Sequence, residues 1–287
     1  MRKFKEFIIE KLILICGIAS IIFVALIFLF LLKEGLALFK IIPFKSFLFG
    51  RNWYPISEPA QLGILPLILG SLWVTVGAAI ISIPIGVACA VYIAEVAPVK
   101  IKEVLKAGIE LLAAIPSVVL GFIGMVTLVP WVKHIFNLPT GLTALSGSIM
   151  LAFMAMPTIV SIAEDALYSV PKSYKEGALA LGATQWQTIY RVLLPAASSG
   201  ILAAVMLGIG RVIGETMAVM MITGNSAIIP NSILQPVRTL TATIAAEMGE
   251  TVVGSEHYFA LFAIGIVLFV ISFAVNVTAD LFLHKRK

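Results

Sequence analysis

The sequence predicts an all-α integral membrane protein with six transmembrane helices. Two observations carry this. Of 287 residues, 60% are apolar and only 12% charged, with a mean hydropathy of +1.08; soluble domains carry about 25% charged residues. Long apolar runs also recur along the whole chain, each able to span about 30 Å of hydrocarbon as a helix. A net charge of +5 does not point to nucleic acid, because the cations sit at the ends of apolar runs and form no basic face.

The first run, about 12–32, follows the basic flank MRKFKEFIIEK. It is too long for a signal-peptide core and lacks a small-x-small cleavage site, so a retained first helix is expected. Trp53 and Tyr54 in the next segment suit a membrane interface. A second helix is expected at about 67–94, kinked at Pro84. A short basic loop over 95–110 then leads to a third helix at about 109–130, in which Pro116 reads as a kink. The fourth is expected at about 143–163, the fifth at 197–223 and the sixth at 258–281, before the basic tail HKRK. With no internal repeat, residues 1–287 read as one membrane domain.

Six helices place both termini on one side. That side, with the 95–110 and 164–196 segments, holds 13 Lys and Arg; the opposite segments hold six, and Arg211 is the remaining one. The richer side is cytoplasmic, so both termini and the 164–196 loop are expected inside.

Residues 164–196 form the only long polar stretch with helix signals on that side. Ser173-x-x-Glu176 and Thr184-x-x-Gln187 have capping-box spacing, so two short helices with a bend at Gly182 are expected. Pro195 suits the start of the fifth membrane helix. A plain connector would also carry a capping Glu176. However, loops beyond about 12–15 residues are commonly functional, and Ala178, Leu179 and Leu181 suit insertion into a partner's groove.

The fifth helix carries two charges in an apolar run. Arg211 lies roughly 22 Å into it at 1.5 Å per residue, near mid-membrane, where an ionisable residue is a functional signal. Glu215 at i+4 shares its face and is expected to pair with it. Gly200, Ala204, Gly208 and Ala218 fall on the same arc and would let another helix approach closely. A purely structural pair is the bland alternative, but buried ion pairs are a poor source of stability. The functional reading is an anion path: guanidinium matches phosphate oxygens in a bidentate fork, Glu215 keeps the site near neutral, and Thr216 and Thr223 add hydroxyl donors.

Other chemistry finds little support. Cys16 and Cys89 lie in apolar runs without metal-ligand spacing, and His134, His257 and His284 form no cluster. There is no phosphate-binding loop motif, so the chain is not expected to bind ATP. No nucleophile–base set is apparent, and no cofactor is expected. Arg238 to Glu250 reads as a short amphipathic stretch in the last outer loop.

Glu176-Gly177-Ala178, Gly182 four residues later, and Val192-Leu193-Leu194-Pro195 together resemble the EAA loop of ABC-importer permeases. Gly177 stands where that pattern has Ala, and Val192 where it has Ile. The resemblance implies coupling helices that dock on a separate ATPase. GRVIGETMAV around Arg211 is similar to the permease of the phosphate-specific transport system, of the PstC type. So are FLFGRNWYP, LGILPLILGSLW, ELLAAIPSVVLGFIG, MPTIVSIAEDALYSVP and RTLTATIAAEMGE. This implies a multi-pass permease of the cytoplasmic membrane that imports inorganic phosphate. Its implied partners are a sister permease of the PstA type, an ATP-binding subunit dimer of the PstB type and an external phosphate-binding protein of the PstS type. Two rivals are another oxyanion, molybdate or sulfate, and an ion-coupled secondary transporter, which would show paired repeats with broken helices.

Overall fold

The computed structural model describes residues 2–284. Lys285, Arg286 and Lys287 of the expected basic tail lie outside the described residues. Among the described residues, five helices are long and apolar enough to cross a membrane, and a bent pair makes a sixth.

The first helix, α1 (Arg2–Ala37), is apolar on all sides and exposed along most of its length. Such a helix belongs in lipid. It packs on the last helix, α14 (Glu256–His284), with Phe28 against Phe269 (ring centroids 4.6 Å apart) and Phe30 against Phe262 (5.4 Å). Gly35 and Gly265 let the two backbones close: a Cβ on Gly35 would lie 2.5 Å from Ile266 Cδ1, and one on Gly265 2.8 Å from Leu31 Cδ1. Between them in sequence, α2 (Phe44–Phe49) and a small hairpin of β1 (Trp53–Tyr54) with β2 (Gln61–Leu62) lead to the second span. Leu38, Phe47, Trp53, Leu62, Ile64 and Leu261 close a buried cluster there.

The second span, α3 (Leu65–Val91), contains Pro84 and ends in a wider helical turn over Tyr92–Val96. The segment expected as a basic loop is instead helix α4 (Val99–Ala114), with no residue fully buried. Its apolar residues Val99, Val104 and Leu111 stay exposed, as on a helix lying along an interface. The chain then breaks rather than kinks. Pro116 disfavours the helical conformation at the residue before it, and Ile115 is extended (φ −69°, ψ 128°). The third span therefore runs Ser117–Ile135, as α5 (Ser117–Val126) and α6 (Leu128–Ile135), and not from residue 109.

The fourth span, α7 (Ala144–Tyr168), is the packing centre. Thr143 caps it by accepting from Ser146 N at 3.2 Å. Val74 and Ala78 of α3 meet Leu151, Ala152, Ala155 and Ile159 of α7 in one cluster. Close approach rests on small residues: Gly77 faces Ser148, Gly86 faces Ile159, and Ser148 Oγ donates to Ala144 O at 2.8 Å. The helix continues past Glu164, where the charge suggested its end.

After α7 come α8 (Lys172–Ala180), α9 (Gln185–Thr188), a wide turn over Ile189–Leu193, and α10 (Leu194–Ala196). A 71° bend separates the stretch Gln185–Ala196 from α11 (Ser198–Gly214). The fifth span thus bends just after Pro195 and ends at Gly214, short of residue 223; α12 (Met217–Ile222) follows. Finally, α13 (Leu240–Glu247) enters the bundle at the end opposite the polar 164–196 loop, with Leu240, Ala242 and Thr243 buried.

Ala204 and Gly208 of α11 lie buried on α7, where a Cβ on Gly208 would sit 2.5 Å from Ile159 Cγ1. Gly208→Leu is therefore expected to overpack this crossing and destabilise the protein by about 1–3 kcal/mol. Thermal unfolding of the solubilised protein would register it as a lowered midpoint.

Candidate functional site

Arg211 sits in the last turn of α11, about 20 Å from the start of that helix at 1.5 Å per residue. Its guanidinium Nη1 donates to Thr158 Oγ1 of α7 at 3.2 Å. The ion pair expected with Glu215 is not formed among the described residues, because the helix does not reach it. Glu215 is extended (φ −69°, ψ 134°) and Thr216 is also non-helical. A residue off the helix loses the i+4 geometry that the pairing required.

The break has local causes. Gly210 and Gly214 weaken the helix, and the Glu215 carboxylate has a competing backbone partner. Its Oε1 accepts from Ala218 N at 3.2 Å, satisfying a first-turn amide of α12, as an acceptor at a helix start does. The freed backbone groups are also satisfied. Glu215 O accepts from Thr241 Oγ1 at 2.8 Å, and Thr216 Oγ1 donates to Gly214 O at 3.1 Å. Non-helical backbone at membrane depth is tolerated where protein or a water-filled path surrounds it.

The two faces of α11 differ. Ala204, Gly208 and Val212 are buried against the bundle, whereas Leu207, Gly210, Arg211 and Gly214 are exposed. Gly210 and Gly214 have nothing within 4 Å of an added Cβ. The small-residue arc therefore packs inward as expected as far as Gly208. Arg211 stands at its edge, and the break takes Glu215 and Ala218 off the arc. Thr216 is half-buried beside the break, while Thr223 is buried and donates to Val219 O at 2.9 Å. A guanidinium on an open face cannot remain in hydrocarbon, at a cost of at least about 2.5–3.5 kcal/mol, so this face requires a water-filled path or another protein.

Sequence reasoning missed Thr158. Its signal was the MPT triplet of α7: Pro157 has no N–H, and a hydroxyl beside it invites a polar partner. Glu164 was missed as well. It is 2% exposed, and Lys102 and Lys106 of α4 approach its two oxygens at 3.3 and 3.0 Å. The Lys102 ammonium also lies over the Tyr168 ring, 3.6 Å from its centroid. Hydrogen bonding to Glu164, opposed by burial and helped by its charge, holds the Lys106 pKa above the ordinary 10.5. These contacts clamp α4 to α7 just before the polar loop.

In that loop, Thr184 and Gln187 form the reciprocal cap: Thr184 Oγ1 accepts from Gln187 N at 3.3 Å, and Thr184 N donates to Gln187 Oε1 at 2.9 Å. Ser173 does not cap. Pro171 starts α8 two residues earlier than the spacing implied, which leaves Ser173 inside the first turn. Gly182 makes the bend at φ +85°. Ala183 N donates to Ala178 O at 3.1 Å and Gly182 N to Leu179 O at 3.0 Å, the paired closure of a helix end that favours glycine. The loop is anchored to the second span: Lys175 Nζ meets Glu95 Oε2 at 2.5 Å, and Gln185 Nε2 donates to Glu95 O at 3.3 Å. Glu176 and Gly177 face solvent, Ala178 and Leu194 are half-buried, and Pro195 is exposed. Leu181 (90% exposed), Trp186 and Tyr190 project from the same end, an apolar display of the kind that marks interaction surfaces.

The family model described as binding-protein-dependent transport system inner membrane component matches residues 82–287. The chain belongs to this permease family. Among its relatives, the probable ABC transporter permease protein YqgH of Bacillus subtilis (strain 168) is 42% identical over 274 residues, covering 95% of this chain and 89% of that one. The phosphate transport system permease protein PstC of Haemophilus influenzae is 36% identical over 262 residues, covering 84% and 82%. Solved transporter structures share the fold. A bacterial ABC transporter involved in alginate import aligns with a TM-score of 0.66 at 16% identity over 99% of both chains. The MetNI methionine transporter in an inward-facing form aligns with 0.64 at 20%, over 81% of this permease and all of that chain. As a permease of this family the chain is a multi-pass protein of the cytoplasmic membrane and a transport subunit, without an ATPase motif of its own. Its membership also removes the secondary-transporter alternative, although a broken helix, the mark proposed for that alternative, is present at Glu215.

Proposed function

We propose that this permease is one half of the membrane pathway of an ATP-driven importer that carries inorganic phosphate into the cell. The observation that carries this is Arg211: a permanent cation deep in the fifth span, on an open face, beside broken backbone. Such a group needs water, an anion or a facing subunit. Guanidinium presents a planar fork that matches phosphate oxygens. Glu215 and Thr216, at the break, complete the proposed path. Relatives named as phosphate transport permeases support phosphate as the anion.

In this reading a sister permease of the PstA type covers the open face. An external phosphate-binding protein of the PstS type delivers the substrate, and a PstB-type ATPase dimer supplies the energy. The alginate system with its substrate-loaded periplasmic protein offers a precedent for delivery from outside. The coupling loop is Glu176, Gly177, Ala178 and Gly182 with Leu194 and Pro195, and it presents Leu181 and Trp186 to the ATPase. Both termini and this loop lie on the cytoplasmic side.

Vesicles reconstituted with all four components test the assignment. Uptake of labelled phosphate is expected to require ATP and to persist in a hundredfold excess of molybdate or sulfate. Competition by either oxyanion at equal concentration would replace phosphate as the substrate. Uptake without the ATPase would sink the importer reading.

A further inference from the structure

At the end of the molecule opposite the polar loop, distant segments converge on one carboxylate. Glu247 is the last residue of α13. It accepts from Trp53 Nε1 at 3.2 and 3.1 Å, from His257 Nε2 at 2.8 Å, and from Arg238 Nη1. Arg238 is held in turn by Asn225, its Nε donating to the side-chain oxygen at 2.8 Å and the backbone oxygen at 3.2 Å. Trp53 belongs to the first outer segment, Asn225 to the loop after α12, and His257 to the first turn of α14. The side chains of Glu247, Arg238 and His257 are each less than one-fifth exposed. They border a cavity of about 700 Å³ that Tyr54, Glu250 and Val252 also line.

The other end of α13 is fixed to α3 and to the break after α11. Leu240 N donates to Ser71 Oγ at 3.0 Å, and Thr241 Oγ1 donates to Glu215 O at 2.8 Å. An eight-residue helix is about 12 Å long. It therefore works as a short strut, with the Glu247 cluster at one end and the Glu215–Thr216 break at the other.

The chemistry of the cluster favours a carboxylate. Three N–H donors point at one group. Ionised Glu offers two oxygens and no hydrogen, whereas an amide offers one oxygen and two N–H groups of its own. Gln at 247 would keep the shape but remove the charge opposite Arg238 and leave one oxygen where there were two, with an N–H that only an acceptor tautomer of His257 could meet.

We propose that Glu247 is a positioning residue for translocation, which fixes α13 so that the outer cavity and the break at Glu215–Thr216 move as one body. This rests on the reading that the path passes Arg211 and Glu215. The test uses the complete four-component importer with Glu247→Gln, Glu247→Asp and Trp53→Phe. Amide hydrogen exchange is followed over residues 212–220 and 239–248, together with phosphate uptake at varied concentrations of loaded binding protein.

Glu247→Gln is expected to speed exchange at least tenfold in both segments and to lower maximal uptake at least tenfold. The concentration of binding protein at half-maximal rate should stay within twofold. Glu247→Asp should recover much of both losses. Faster exchange confined to 239–248 would overturn the proposal, and so would intact uptake or a rise in the half-maximal concentration alone, which would mark a docking role. If Glu247→Gln does not assemble, Trp53→Phe decides: a smaller acceleration in both segments supports the strut, and none at 212–220 overturns it. If Arg211→Gln leaves uptake intact, the path reading fails, while coupled exchange would still report that Glu247 positions the break.

Discussion

Replacing Arg211 with Gln is expected to lower phosphate uptake by a hundredfold or more while the complex still assembles and hydrolyses ATP. The site geometry gives the reason. Arg211 lies on the open face of α11, donates to Thr158 with one nitrogen, and makes no ion pair with Glu215 among the described residues. Its remaining donors are thus available to a passing anion. Charge-assisted hydrogen bonds contribute about 1.5–3 kcal/mol each, and two of them lost from the rate-limiting state correspond to about 10²–10⁴ in rate. Lys at this position is expected to recover only part of the uptake, because an ammonium cannot grip two oxygens in one plane. Reconstituted vesicles measure uptake and hydrolysis side by side. Uptake that survives Arg211→Gln would make the charge structural and end the site assignment, without touching the family. Failure to assemble would mean that Arg211 mainly packs against the sister subunit.

The second large effect is expected at Glu164. Changing both Lys102 and Lys106 to Met would leave a carboxylate that is almost wholly buried without its counter-charges. Breaking a buried pair by removing one side costs about 3–5 kcal/mol, a large share of a domain's total stability of about 5–15 kcal/mol. Thermal unfolding of the solubilised complex should therefore drop sharply. Adding Glu164→Leu to the double variant should restore most of the loss, since an apolar trio often serves as well as a buried ionic one. No recovery would mean that the lysines act elsewhere, for instance on lipid phosphates. Lys106 should keep its charge near neutrality. The Lys106 pKa is raised by its bond to Glu164, so its contribution is fully present below 10.5 and fades only as pH rises through the higher folded value.

Much of the architecture was legible because lipid imposes a simple rule: apolar runs of about 20 residues become helices. The same rule misled at the boundaries. Glu164 was read as the edge of a span because charges usually mark edges, yet two lysines from α4 carry it inside. The basic 95–110 segment was read as a loop, and its alternation of Lys with Val, Ile and Leu is that of an amphipathic helix. Pro116 reads as a kink inside one helix, and the extended Ile115 makes it a break instead. The pairing of Arg211 with Glu215 assumed an unbroken helix, whereas two glycines and a competing amide end the helix between them. Local chemistry was more reliable where it involved few residues. Thr184 with Gln187 and the bend at Gly182 depend on neighbours in sequence alone. Ser173 failed because Pro171 moved the helix start by two residues. The Glu247 cluster was out of reach, since its donors come from positions 53, 238 and 257.

The 71° bend at Ala197 makes the fifth span a crank. Its short arm, Gln185–Ala196, lies at the end that carries the polar loop; its long arm carries Arg211 about 20 Å from the elbow at 1.5 Å per residue. If the elbow is stiff, a tilt of the short arm by about 10° swings the guanidinium through about 3.5 Å. That is roughly the reach of one hydrogen bond. A small rocking motion at the membrane surface is then enough to make or break a single contact with an anion near mid-membrane, without sliding any helix along its axis.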